Sequence, residues 1–199
     1  MTILVTGGAG YIGSHVCKAL AEAGETPVAV DNLGNGHEWA VQWGELEHAD
    51  IRDTDRLGDI IDRYRPRAVI HLAAFIEVGL SMQDPGAFYR NNLGGTLSLL
   101  QAMQASGVER VVFSSTAAVY GTPTRVPIPE DHDLAPINPY GHSKLMSEQV
   151  LADYDSIHGI RHVALRYFNV AGADPKARIG EAHDPESHLI PLVLQAVDG

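Results

Sequence analysis

The stretch Val5-Thr6-Gly7-Gly8-Ala9-Gly10-Tyr11-Ile12-Gly13 decides the fold of this 199-residue chain. The β-branched run Ile3 to Thr6 predicts a short strand, and the apolar spacing from roughly Ile12 to Ala23 predicts a helix that Gly24 stops. Between them Gly8, Gly10 and Gly13 fit G-x-G-x-x-G, and Gly7 adds the G-x-x-G-x-x-G spacing. A strand-to-helix turn without side chains lets the backbone approach a pyrophosphate, which then sits on the positive end of the helix dipole. A merely tight turn uses the same glycines, so the context has to separate the two readings. A second apolar strand, Pro27 to Val30, ends at Asp31, about 20 residues beyond the turn, where a dinucleotide site needs an acid. A carboxylate there accepts hydrogen bonds from the adenosine ribose hydroxyls and repels a 2′-phosphate, which favours NAD over NADP. The other reading of Asp31 is a cap on the turn that follows it.

Outward from this stretch, strands and helices alternate. Asn32 to Gly44 reads as a Gly- and Asn-rich loop with room for a short helix carrying Trp39 and Trp43. A weak third strand, Glu47 to Asp50, puts Asp50 and Ile51 near an adenine. An amphipathic helix spans Thr54 to Tyr64, a fourth strand spans Ala68 to Leu72, and one long helix is expected from Asp84-Pro85 through Ser106. A fifth strand covers Arg110 to Ser115. A Pro-rich loop from Thr122 to Asn138 leads into a helix from Tyr140 to about His158, and a sixth strand covers Arg161 to Phe168. A polar loop to Ser187 precedes a last helix, about Leu189 to Val197. The pattern implies an α/β fold, a doubly wound parallel sheet of the NAD-binding Rossmann type. The long loops after Asp31, Gly121 and Ala171 are candidate binding loops.

The bulk properties exclude several classes of function. A formal charge of -11 argues against nucleic acid or an anionic membrane surface as a partner. No apolar run is long enough to span a bilayer, and Met1-Thr2-Ile3-Leu4-Val5 lacks the basic segment of a signal peptide, so a cytoplasmic location is expected. With Cys17 as the single cysteine no internal disulfide is possible. The ten histidines form no His-x-x-x-His or Cys/His array, so no metal site is expected.

Pro139-Tyr140-Gly141-His142-Ser143-Lys144 carries the chemistry. Tyr140 and Lys144 are one helical turn apart, so the ammonium can approach the phenol. A nearby cation lowers a phenol pKa from its usual value near 10, which makes Tyr140 a candidate general base and Lys144 its tuner. Ala73-Ala74, Ser114-Ser115-Thr116 and Tyr167-Phe168-Asn169 fall at the C-terminal ends of successive strands, where ligands bind in an open α/β sheet. The Ser115 and Thr116 hydroxyls are candidate donors to a substrate oxygen, or else close the strand and cap a turn.

Together these segments, with Asp31-Asn32-Leu33, Asp50-Ile51-Arg52-Asp53, Asn91-Asn92, Ala117 through Gly121 and Arg166-Tyr167-Phe168-Asn169, resemble the extended short-chain dehydrogenase/reductase family. Within it they are most similar to the epimerases that act at C4 of UDP-glucose and UDP-galactose. The resemblance implies NAD as cofactor, with Gly7, Gly10, Tyr11, Ile12, Gly13, Asp31, Asn32, Asp50, Ile51, Leu72, Ala73, Ala74, Asn92, Tyr140, Lys144 and Phe168 at its site. It implies Tyr140, Lys144 and Thr116 as catalytic residues, and Thr116, Asn169, His188 and Leu189 toward a UDP-sugar substrate. The implied reaction abstracts the 4-hydroxyl proton, moves hydride from C4 to the nicotinamide, and returns it to the opposite face of a transient 4-keto sugar. The related 4,6-dehydratases carry an Asp-Glu pair where this chain has Ala117 and Ala118, so water elimination is not expected. UDP-glucuronate decarboxylases remain an alternative. Ile76 stands where many epimerases have a lysine, and His188 where an asparagine is common. The resemblance further implies a cofactor domain over 1–170, a truncated start of the substrate-binding region over 171–199, and a homodimer in the full-length form. A dinucleotide-binding module without turnover is the alternative from a different class.

Overall fold

The computed structural model describes residues 1–184, 186 and 188–198 (the last without its side chain); Ser187 and Gly199, where expected segments end, lie outside the described residues. The chain opens with β1 (Thr2–Thr6), α1 (Tyr11–Glu22), β2 (Thr26–Asp31), β3 (Glu45–His48), α2 (Thr54–Tyr64) and β4 (Ala68–His71). It continues with α3 (Val78–Gln83), α4 (Pro85–Phe88), α5 (Gly94–Ser106), β5 (Arg110–Thr116), α6 (Pro139–His158), β6 (Arg161–Tyr167) and α7 (Leu189–Asp198). All six strands are parallel, in the order β3-β2-β1-β4-β5-β6. The chain therefore winds outward from β1 to β3, crosses back to β4 and winds the other way. A crevice opens at the C-terminal ends of β1 and β4, where the direction reverses.

Alternation along the strands divides the core into two layers. Leu4, Val28, Val30 and Phe113 point to one face, under Leu57, Ile60 and Ile61 of α2, Leu99, Leu100 and Met103 of α5, and Leu151 of α6. Ile3, Val5 and Ala29 point to the other, under α1, and enclose Cys17, whose thiol burial pushes up to about 12.

Three expectations are corrected. The long helix from Pro85 to Ser106 is not uniform, because a π-helical stretch, Tyr89–Leu93, interrupts it between α4 and α5. The wider turn carries Asn91 and Asn92 into the interior. The third strand begins two residues early, since Glu47 turns inward and is held by Arg56 at 2.6 Å, Arg63 at 2.7 Å and the Tyr64 hydroxyl at 2.7 Å. The helix α3 was not expected at all, and the short helical turn after β2 spans Glu38–Ala40, which includes Trp39 but not Trp43.

A chain of hydrogen bonds through the buried His71 ties the sheet to the π-turn. Thr96 donates its hydroxyl proton to the Asn92 carbonyl at 2.7 Å, so it accepts from His71 Nε2 at 3.1 Å. Nδ1 is then the acceptor from the Thr6 hydroxyl at 2.6 Å. Desolvation, with Lys144 adding, pushes His71 down to about 3. Between pH 6.5 and 3 the unfolded chain binds a proton that the folded one refuses, so this stability is complete above 6.5 and lost as pH falls to 3. His71→Leu should lower stability at pH 7 by about 1–3 kcal/mol through the orphaned hydroxyls. It should also flatten the acid limb in that window, read by urea unfolding at pH 4 and 7.

Candidate active site

The glycine turn forms the floor of the crevice. Gly7 has φ +72°, and a Cβ there would lie 2.7 Å from the Ala73 backbone nitrogen; one at Gly13 would lie 2.0 Å from the Gly7 carbonyl. Gly10 precedes α1, and no side chain caps that helix, so its first amides are free to hold an anion. Asp31 is 8% exposed and caps the turn that follows it. Its Oδ2 accepts from the Ala9 amide at 3.0 Å and its Oδ1 from the Leu33 amide at 2.9 Å, leaving further lone pairs on the cavity side.

The turn opens into a cavity of about 480 Å³. Gly7, Gly10, Tyr11, Ile12, Gly13, Asp31, Asn32 and Ile51 line one end, and Leu72, Ala73, Ala74, Thr116, Tyr140, Lys144, Phe168 and Asn169 line the other. The glycines that a Cβ would block, the uncapped helix and the adjacent carboxylate fit a dinucleotide with its pyrophosphate on α1. His37, stacked on Trp39 with centroids 5.5 Å apart, closes the Ile51 end.

Tyr140 and Lys144 occupy the first turns of α6. Asn138 caps that helix by accepting from the Gly141 amide at 2.8 Å, and Pro139 fits its first turn. Lys144 is 3% exposed. Its ammonium donates to the Ser114 carbonyl at 2.8 Å and lies 4.9 Å from the centre of the Phe113 ring. Burial pushes it down to about 7. The Tyr140 phenol is raised above its ordinary value, first by burial and then by Glu77, while the Thr116 hydroxyl opposes the rise by hydrogen bonding. The expected lowering of Tyr140 by Lys144 is therefore corrected for the chain by itself. The ammonium is turned onto a strand carbonyl and loses charge through its own desolvation. Thr116 Oγ1 also accepts from the Ala118 amide at 3.1 Å, which aims the threonine against the tyrosine.

Other expected residues are engaged elsewhere. Asp50 stands outside the cavity lining, with its carboxylate clamped by Arg52 at 2.9 and 2.6 Å and held at about 2. Asn92 is buried behind the wall, pinning both the amide and the carbonyl of Phe75 and reaching Ser143, while Asn91 lines the cavity. The Ser115 hydroxyl donates to Glu148, which Arg166 also grips, so Ser115, at the cavity lining, joins α6 to the strand ends. His188 borders the cavity, but Leu189 does not and is 76% exposed.

The polar segment after β6 folds back across α1 and the loop after β2. The Tyr11 hydroxyl donates to the Gly172 carbonyl, Lys18 lies 3.6 Å from Asp174, and His37 donates to the Ala182 carbonyl at 2.7 Å. Arg178 binds Asp174 and covers the Trp43 ring at 5.1 Å. Spacing between residues so far apart in sequence gave no signal for this strap.

A switch-point crevice with a glycine turn and an acid on β2, in a doubly wound parallel sheet, defines an NAD-binding α/β protein of the Rossmann type. The NAD dependent epimerase/dehydratase family matches residues 3–199, and the chain belongs to that family. It is 58% identical over 197 residues to the UDP-glucose 4-epimerase of Rhizobium meliloti, covering 99% of this chain and 60% of that protein. Among solved structures, the UDP-glucose 4-epimerase of Brucella ovis in complex with NAD is 52% identical with a TM-score of 0.97, over 98% of this chain and 60% of that one. The Bifidobacterium longum enzyme in complex with NAD+ and UDP is 37% identical with a TM-score of 0.94, over 100% of this chain and 63% of that one. The chain thus spans about 60% of the length of the curated relatives it matches. Among the described residues no helix is long and apolar enough to cross a membrane.

The buried lysine sets a stability slope. Between pH 7 and 10.5 the unfolded chain binds a proton that folded Lys144 has lost, so stability rises with pH across that window. Lys144→Met should stabilise the chain by a few kcal/mol at pH 6.5 and by little near pH 10.5. Urea midpoints at the two pH values check this; equal gains at both would contradict it.

Proposed function

We propose that this chain is the cofactor-binding and proton-transfer part of an NAD-dependent epimerase acting at C4 of a UDP-hexose. Residues 1–170 form the NAD domain in this reading, and 171–199 begin the substrate region. The observation that carries the proposal is that one cavity holds both the uncapped α1 with Asp31 and, across it, Tyr140, Thr116 and Lys144. The relatives named as UDP-glucose 4-epimerases support the choice of substrate.

Bound NAD supplies the acceptor that takes hydride from C4 and returns it to the opposite face. The α1 amides hold the pyrophosphate, and Asp31 holds the adenosine ribose. Tyr140 removes the proton of the 4-hydroxyl, Thr116 orients the same oxygen, and Lys144 keeps a positive charge near both while it remains protonated. Asn169 reaches from the end of β6 toward the sugar. Ala117 and Ala118 offer no group able to move a proton, which sets the reading apart from dehydration. Burial moves the ionisation of Tyr140 to higher pH, so its phenolate is scarce at neutrality and turnover should climb along the acid limb as pH rises.

A second reading, an NAD-binding module without turnover, is favoured by apolar side chains that stand exposed, with Val163 of the outer strand β6 55%, and Leu192 43% and Val193 52% on α7. The purified chain, incubated with UDP-galactose, should release UDP-glucose, detected with a coupled UDP-glucose dehydrogenase. NAD retention with no UDP-glucose supports the module, and absence of NAD binding overturns both readings. Where turnover is seen, Tyr140→Phe should lower kcat by about 100-fold or more while NAD stays bound; near-normal turnover would remove Tyr140 as the base.

A further inference from the structure

The strap after β6 gathers four side chains that the sequence spacing did not reveal as a group. Glu181, His183, Glu186 and His188 are each half-buried, and one donor atom from each lies within 4.8 Å of the others. His188 Nδ1 is 2.6 Å from Glu181 Oε1 and 3.0 Å from Glu186 Oε1. His183 Nδ1 stands 3.8 Å from the same Glu181 oxygen, its ring stacked on His188 at 4.8 Å.

Two further features show that the group is supported from behind. Glu77 lies 4.0 Å from His183 Nε2, on the side away from the cluster. The separation exceeds a direct hydrogen bond, so Glu77 acts on His183 through its charge, from the place the outer carboxylate takes in carboxylate–histidine–metal arrangements. The His188 amide holds Glu186 Oε1 at 2.8 Å, fixing the second acid in place. Two carboxylates beside two imidazoles make the mixed oxygen and nitrogen donor set that a divalent cation takes. In a tetrahedral zinc shell neighbouring ligand atoms are roughly 3.3 Å apart, inside the range of separations seen here. Imidazole with carboxylate suits zinc and its neighbours better than magnesium or calcium.

We propose that Glu181, His183, Glu186 and His188 bind one divalent cation of the zinc class. With four protein ligands the site is closed, and it fastens the strap beside the loop that carries Glu77. His188 then serves the cation and is withdrawn from direct contact with a substrate diphosphate. Sequence spacing gives no sign of this group because the four residues sit on an irregular segment, at none of the spacings that mark helical or finger-type sites.

The site is tested without NAD, UDP-sugar or turnover, so its failure is separate from that of the proposed activity. The 199-residue chain, stripped with a chelator, is titrated with Zn²⁺ by calorimetry, and with Co²⁺ by visible absorption. One equivalent of Zn²⁺ and the intense d–d bands of four-coordinate Co²⁺ are expected. The double variant His183→Gln/His188→Gln should weaken Zn²⁺ binding at least about 100-fold, and Glu77→Gln about 10-fold. Circular dichroism of the metal-free proteins checks that the variants fold, and the wild-type Co²⁺ spectrum decides the matter if they do not. Sub-stoichiometric Zn²⁺, a weak six-coordinate Co²⁺ spectrum, or undiminished binding by the folded double variant would each overturn the proposal.

Discussion

The crevice is framed by a close approach between Gly7 and the backbone of Ala73. The turn after β1 and the chain leaving β4 pass so near each other that a single methyl group at Gly7 would strike the Ala73 nitrogen. That approach sets the width of the crevice at the point where the sheet reverses its winding. It also fixes α1 with its amides facing the cavity, because Gly13 must clear the Gly7 carbonyl at the same time. Everything placed around the crevice, from Asp31 to the first turn of α6, takes its position from this contact between two strand ends.

The electrostatics of the far end follow from burial. Lys144 reaches a strand carbonyl and an aromatic face in a nearly dry environment, and Tyr140 resists ionisation beside it. The pair is thus assembled with the phenol protonated and the ammonium only partly charged near neutral pH. A ligand that brings positive charge into the cavity does two things at once: it favours the phenolate and disfavours the ammonium. The Ser115–Glu148–Arg166 cluster behind them keeps α6 registered against β5 and β6 while those charges change.

The parts of this architecture legible in sequence are those set by local spacing. The glycine turn, the acid ending β2, the one-turn separation of Tyr140 and Lys144 and the alternation of strands and helices are all short-range patterns. What escaped reading depends on partners brought together by the fold. Nothing near Asp50 in the alternation indicates that Arg52 folds back over it, and Ser115 looks as available as Thr116 until Glu148, a full turn beyond Lys144, is seen to claim it. The break in the helix around Asn92 was hidden because its residues have ordinary helical character. The strap was invisible because its contacts join residues more than a hundred positions apart.

Cys17, the chain's single thiol, sits on the underside of the helix whose first turn meets the crevice. Enclosed and held in its protonated form, it is a poor nucleophile in the closed molecule. An alkylating reagent can reach it only when α1 lifts from the sheet. The rate of its modification is therefore a built-in clock for the opening of the glycine turn, readable by mass alone and without any engineered label.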